Sequence, residues 1–214
     1  MTPAWMPALL LGATAVAAAP AAAVELPLSP EGRLAAVEAG RRMAGAEGGY
    51  PVRDYVLFET DDALAMQPGE GEIYAVTLRT PFERARWTSY TRARQGGPAT
   101  EAVDPQPAET VDVVVYVRST ESRGHDVLDR LGLPVFTLAS RGRLEPLAVE
   151  RSRPFRGSQM VVRAGGQARP AERWFGTIAW RFQLAAGDAG PLSFEIVDGT
   201  GRTYRLQADL AHFR

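Results

Sequence analysis

The chain has 214 residues, with 24 basic side chains against 25 acidic ones, a net charge of −1 and no cysteine. That balance provides no global field to draw it to nucleic acid or to an anionic membrane. Without Cys there is no thiol nucleophile, disulfide framework or thiolate zinc site. Every basic residue is Arg, and Lys and Asn are absent, which excludes Schiff-base chemistry, a P-loop lysine and N-glycosylation.

Residues 1–23 carry no charged side chain, and the apolar run Leu9–Ala19 is followed by Pro20 and the small residues Ala21, Ala22 and Ala23. This fits a secretory signal peptide cleaved before Val24. The run is far shorter than the roughly 20 residues that span a bilayer. Its amino-terminal region, Met1–Ala8, lacks the usual Lys or Arg, so a retained anchor is the rival reading. No second apolar segment of spanning length follows. The expectation is a periplasmic or secreted protein with no membrane span after cleavage, from a bacterium whose Arg-only, Ala-rich usage reflects high GC content.

Residues 24–50 are read as an N-terminal helix or linker and 51–214 as a β-rich domain. Ser29-Pro30-Glu31 gives an N-cap followed by Pro at the first helical position, predicting a helix to about Ala44. Leu34, Val37 and Met43 would share its apolar side; Gly32 and Gly40 weaken it, and Gly45, Gly48 and Gly49 end it. From Val52 the period is two, and Tyr55–Glu59 and Ile73–Arg79 read as strands. Thr80-Pro81-Phe82-Glu83 starts a helix reaching Arg94, with Phe82, Ala85, Tyr90 and Ala93 expected to pack on a sheet. The Pro-bearing stretch 97–110 is the candidate internal boundary.

Val111–Arg118 is nearly continuous in hydrophobicity, as a strand covered on both faces should be. Pro134–Ser140 and Leu144–Val149 flank Arg141-Gly142-Arg143 as a hairpin, and Ser158–Arg163 is a short strand. Trp174–Leu184, Leu192–Val197 and Thr203–Leu210 alternate apolar with polar positions, the last two joined by Asp198-Gly199-Thr200-Gly201. These three are expected to run antiparallel. The predicted fold is mainly β, an antiparallel two-layer β-sandwich, immunoglobulin-like in the broad sense, with one inserted helix.

The chemistry-bearing candidates each meet a plainer reading. His125, beside Asp126 and near Asp129, could serve a metal or acid–base role, but the other histidine, His212, lies at the far end of the chain; a surface or capping role is favoured. Glu59, Asp61, Asp62, Glu70 and Glu72 could attract a hard cation, yet lack the spacing of a calcium loop. Ser158 lacks the flanking glycines of a nucleophile elbow. Trp174, Trp180, Phe182 and Tyr204 could form a carbohydrate platform, but their parity places them in the core. Arg79, Arg84, Arg86, Arg92 and Arg94 surround Trp87 and Tyr90, a mixture suited to phosphates, anionic glycans or an acidic partner. Against this, the four helical arginines project at different angles and read as a solvated face. On the binding reading, replacing Arg84 and Arg92 by Glu should weaken any partner while leaving the melting temperature nearly unchanged.

The sequence therefore predicts an exported, non-catalytic protein that needs no cofactor or metal, does not bind nucleic acid, and binds an envelope or extracellular protein or glycan. The alternatives are a carboxylate-dependent hydrolase using Asp61, Asp62, His125 or Asp126, with or without a cation, and a structural subunit of an envelope assembly.

Overall fold

The computed structural model describes residues 24–46, 55–62, 65–97, 109–122, 124–163, 165–185, 188 and 190–213. The predicted leader lies outside them, as does most of the predicted boundary at 97–110. Both predicted helices form at their predicted limits. Helix α1 (Pro30–Ala44) is capped by Ser29, whose hydroxyl accepts from Gly32 N at 3.0 Å. Helix α2 (Pro81–Arg94) is capped by Thr80, which accepts from Glu83 N at 3.2 Å. Pro begins each helix, where its missing N–H costs no intrahelical bond.

Among the described residues eleven strands form two sheets: β1 (Val56–Glu59), β2 (Ala65–Met66), β3 (Ile73–Arg79), β4 (Thr110–Arg118), β5 (Val135–Leu138), β6 (Gly142–Leu144), β7 (Ala148–Arg151), β8 (Phe155–Val162), β9 (Ala168–Gln183), β10 (Pro191–Val197) and β11 (Thr203–Asp209). The larger sheet runs β1-β3-β4-β9-β8-β2, with β7 alongside β9; the smaller runs β11-β10-β5-β6. Inward side chains of both sheets meet in one hydrophobic cluster. Phe136 of β5 lies 5.8 Å from the Trp180 ring and 4.5 Å from that of Phe182, both on β9. The mainly β character and the core placement of Trp180, Phe182 and Tyr204 match the sequence pattern; Trp174 is only half-buried.

Several expectations are corrected. Strand β9 does not join β10 and β11 in one antiparallel meander: it pairs with β4, β7 and β8, while β10 pairs with β5. Alternation reports which face of a strand is buried, not which neighbour it has. The segment Leu144–Val149 is divided, β6 completing the predicted hairpin with β5 and β7 crossing to the other sheet. The short strand β2 is parallel to β8, so the larger sheet is not wholly antiparallel. Leu34 is exposed, whereas Val37 is buried as expected, together with Ala36 and Gly40, against α2. A Cβ at Gly40 would run into the Arg86 carbonyl oxygen, so this glycine sets the distance between the helices. Phe82 and Ala85 accordingly pack with Ala36 of α1, not on a sheet.

Strand β4 is covered on both faces, as its sequence predicts. Val111, Val113, Val115 and Val117 are fully buried toward the smaller sheet, each stabilising the fold by roughly 1.5–3 kcal/mol. Its opposite face carries polar groups that the fold must satisfy: Asp112 pairs with Arg181 at 2.9 Å and Arg118 with Glu70 at 2.6 Å.

One end of the two sheets is closed by a second polar cluster. The Asp198 carboxylate accepts from Glu72 N at 2.7 Å, Thr200 N at 2.9 Å, Arg202 N at 3.1 Å and the Tyr204 hydroxyl at 3.0 Å. Beside it, fully buried Glu72 pairs with Arg130 and accepts from Gly199 N at 3.1 Å. Burial opposes ionisation of both carboxyls, but the donors around Asp198 win and hold its pKa below the ordinary value. For Glu72 burial wins over Arg130, and its pKa is raised.

The two shifts have opposite consequences for stability. The Asp198 contribution is present above its unfolded pKa and is lost as pH falls through the lower folded value. The Glu72 contribution is greatest when that group is protonated and declines as pH rises above about 4.5. Urea unfolding of Asp198→Ala is expected to show a loss of about 3 kcal/mol at neutral pH, narrowing as pH falls below 3.8. A deficit that stays constant into acid would contradict this account of the cluster.

Candidate functional site

The amino-terminal half of α2 lies above the outer face of the larger sheet, where Arg84 Nη1 donates to Thr110 O at 2.9 Å and ties the helix to the start of β4. Between helix and sheet is a cleft of about 580 Å³, lined by residues of β1, β3, β4 and α2. That volume is in the range of small-molecule sites. Four aromatic side chains reach it: Tyr55 just before β1, Tyr74 from β3, Tyr116 from β4 and Trp87 from α2.

Strand geometry explains the convergence. Tyr116 belongs to the outward parity of β4, with Asp112 and Arg118, and is the one residue of that strand not fully buried. Opposite it the register slips: Ile73 faces Val117 but Ala75 faces Tyr116, leaving Tyr74 as the extra residue. Such a bulge re-aims a side chain, and here both Tyr74 and Ala75 line the cleft. The Tyr74 and Tyr116 rings are 6.1 Å apart. Burial, reinforced by Tyr116, pushes the Tyr74 hydroxyl pKa up; the Arg118 guanidinium 5.4 Å from its ring opposes the shift. Tyr74 is therefore a neutral hydroxyl at physiological pH.

The polar groups of the cleft are few. Arg79 Nη2 donates to the Tyr116 hydroxyl at 2.8 Å, which fixes the guanidinium at the wall. Thr77 borders the cleft, but its hydroxyl oxygen is buried away from the open space and has no hydrogen-bond partner among the described residues. Glu59 and Glu83 also line the space, and Glu83 is held 2.7 Å from Arg86.

The predicted Arg and aromatic residues are thus only partly brought together. Arg79, Arg84 and Trp87 line the cleft. Tyr90 stacks on Trp87 at 5.6 Å. Arg86 is buried between Glu83 and the face of Tyr55, 4.8 Å from the ring centroid. Arg92 and Arg94 occupy the last turn of α2 and do not line the cleft. Sequence reasoning missed Tyr55, Tyr74 and Tyr116. The available signal was an aromatic residue on the polar parity of an otherwise apolar strand, as at Tyr116.

The remaining candidates are dispersed. Asp62 accepts from Ala65 N, Glu70 pairs with Arg118 and Glu72 with Arg130, leaving only Glu59 of that group at the cleft. The segment after Gly124 forms turns, with Asp126 3.6 Å from Arg130 and Asp129 3.0 Å from Arg151. The His125 ring lies 6.2 Å from that of Trp174, and His212 Nδ1 is 3.3 Å from Asp209. Ser158 sits on β8 opposite Glu172. Among the described residues no three His, Asp or Glu side chains form a group suited to a metal ion.

Burial of Arg84 overturns the expectation that its replacement would leave the melting temperature nearly unchanged. Arg84→Glu is expected to destabilise by about 2–3 kcal/mol, since a buried carbonyl loses its donor and a carboxylate takes its place. Arg92→Glu, at the solvated end of the helix, should change stability by less than about 0.5 kcal/mol. Equal melting temperatures for the two single variants would contradict the position assigned to Arg84. No protein-family model, curated protein or solved structure matches this chain.

Proposed function

We propose that the chain is an exported binding protein of two-layer sandwich architecture, and that its site is the cleft beneath α2. Its ligand is a glycan of the envelope or extracellular space. The observation that carries the reading is the convergence of Tyr55, Tyr74, Trp87 and Tyr116 around an Arg79 held in place by Tyr116. A sugar ring offers an apolar C–H face to aromatic side chains and hydroxyls to planar polar groups, and the cleft supplies both. Export is inferred from the leader sequence alone. Of the residues named for the hydrolytic alternative, Asp61, Asp62, His125 and Asp126, none lines the cleft; its carboxylates are Glu59 and Glu83.

The test is a titration of the protein with neutral and acidic oligosaccharides, followed by tryptophan fluorescence and calorimetry. Saturable binding is expected. Trp87, 45% exposed, can be truncated without opening the core, and Trp87→Ala is expected to weaken binding about tenfold or more, or about 1.4 kcal/mol, with an unchanged melting temperature. Thr77→Val should leave stability equal or higher in thermal unfolding, since it removes a buried hydroxyl that has no partner among the described residues. Absence of saturable binding, or wild-type affinity in Trp87→Ala, would overturn the reading.

A further inference from the structure

The aromatic groups of the cleft do not end at its rim. On the outer face of the larger sheet the Tyr74 ring is 6.3 Å from that of Phe175 on β9, and Phe175 stacks at 5.5 Å on Phe155 of β8. The pairing register places these residues on one face: Arg118 opposes Phe175, and Phe175 opposes Phe155. Side chains directly opposite in an antiparallel pair share a face. Tyr116, Tyr74, Phe175 and Phe155 thus form a continuous row across the sheet, and Trp87 lines the cleft at its helix end. Phe155 is 60% exposed and leaves the far end of the row open to solvent.

The row is flanked by guanidinium groups. Arg79 lies at the cleft end. At the other end Arg173 is two residues from Phe175 on β9 and opposes Gly157, on the same face. A Cβ at Gly157 would press on the Phe175 ring, so this glycine leaves space beside the Phe155–Phe175 stack. Arg173 Nη1 donates to the neighbouring Glu172 carbonyl, Glu121 lies close enough to favour its charge, and its Nε is buried away from solvent. Arg169, four residues earlier and exposed, continues the same face opposite Val161.

We infer that the binding site extends across the sheet, and that its ligand is an acidic polysaccharide segment whose sugar rings follow the aromatic row and whose carboxylates meet Arg79 at one end and Arg173 at the other. This rests on the glycan reading of the cleft. Charge complementarity selects the acidic class, because guanidinium forks match carboxylate geometry. The spread of the row over four strands selects an extended chain over a single sugar.

Calorimetric titration with uronic-acid oligomers from dimer to octamer, with neutral oligomers of matching length as controls, tests the inference. Affinity for the acidic series is expected to rise about tenfold or more with length. Phe155→Ser, at an exposed position, should abolish that gain while leaving dimer affinity and the melting temperature unchanged. Arg173→Gln should reduce the preference for long acidic over long neutral oligomers by about fivefold or more. Affinity independent of length, or a full gain retained in Phe155→Ser, would overturn the extension while leaving the cleft reading intact. Failure of every oligomer to bind would overturn both.

Discussion

Burial of β4 on both faces is the constraint on which the rest of the molecule depends. Toward the smaller sheet its four valines need only apolar neighbours, and Phe136, Trp180 and Leu192 belong to the same core. Toward the outer face it carries Asp112, Val114, Tyr116 and Arg118, whose charges cannot be left unpaired away from water. Arg181 of β9 and Glu70 of the loop before β3 answer the two charges, and Arg84 of α2 answers the carbonyl of Thr110. These bonds bring the helix and the β2–β3 loop over the outer face. The space between the helix and the sheet, above Tyr116, is the cleft.

The outer elements are fixed by close approaches as well as by bonds. Gly40 lets α1 reach the backbone of α2, where the Ser89 hydroxyl donates to Val37 O at 2.8 Å. Gly71 serves the same purpose at the closed end, where a Cβ would occupy the space of the Tyr204 hydroxyl and the Asp198 carboxylate. The polar cluster around Asp198 joins the loop before β3 to the β10–β11 turn, and so links the two sheets. Tyr74 follows this loop by a few residues. The bulge that turns its ring into the cleft therefore stands on an anchored base.

Local features of the fold were legible in the sequence. Ser29 and Thr80, each followed by Pro, marked both helix starts because capping is decided by adjacent residues. Alternation in 174–184, 192–197 and 203–210 marked buried faces correctly. What the sequence did not disclose depends on distant partners. The pairing of β9 with β4 rather than β10, the two-residue β2, and the crossing of β7 between sheets leave no trace in local periodicity. The candidate site shows the same division. Trp87, Arg79 and Arg84 stood out as an Arg and aromatic cluster near α2, but three of the four cleft aromatics come from strand segments far apart in sequence. Burial of Arg84 and Arg86 was equally hidden, since a guanidinium in a core requires Thr110 O, Glu83 and Tyr55 to be brought to it.

We place the proposed binding function on the outer face of the larger sheet, under and beside α2. Amide chemical-shift mapping of the isotope-labelled protein during titration with an acidic oligosaccharide tests it most directly. The account predicts perturbations concentrated in 74–79, 83–88, 114–118 and 173–177, with those of the smaller sheet unmoved. Perturbations centred instead on the opposite surface, around Val135, Phe194 and Leu206, would contradict it.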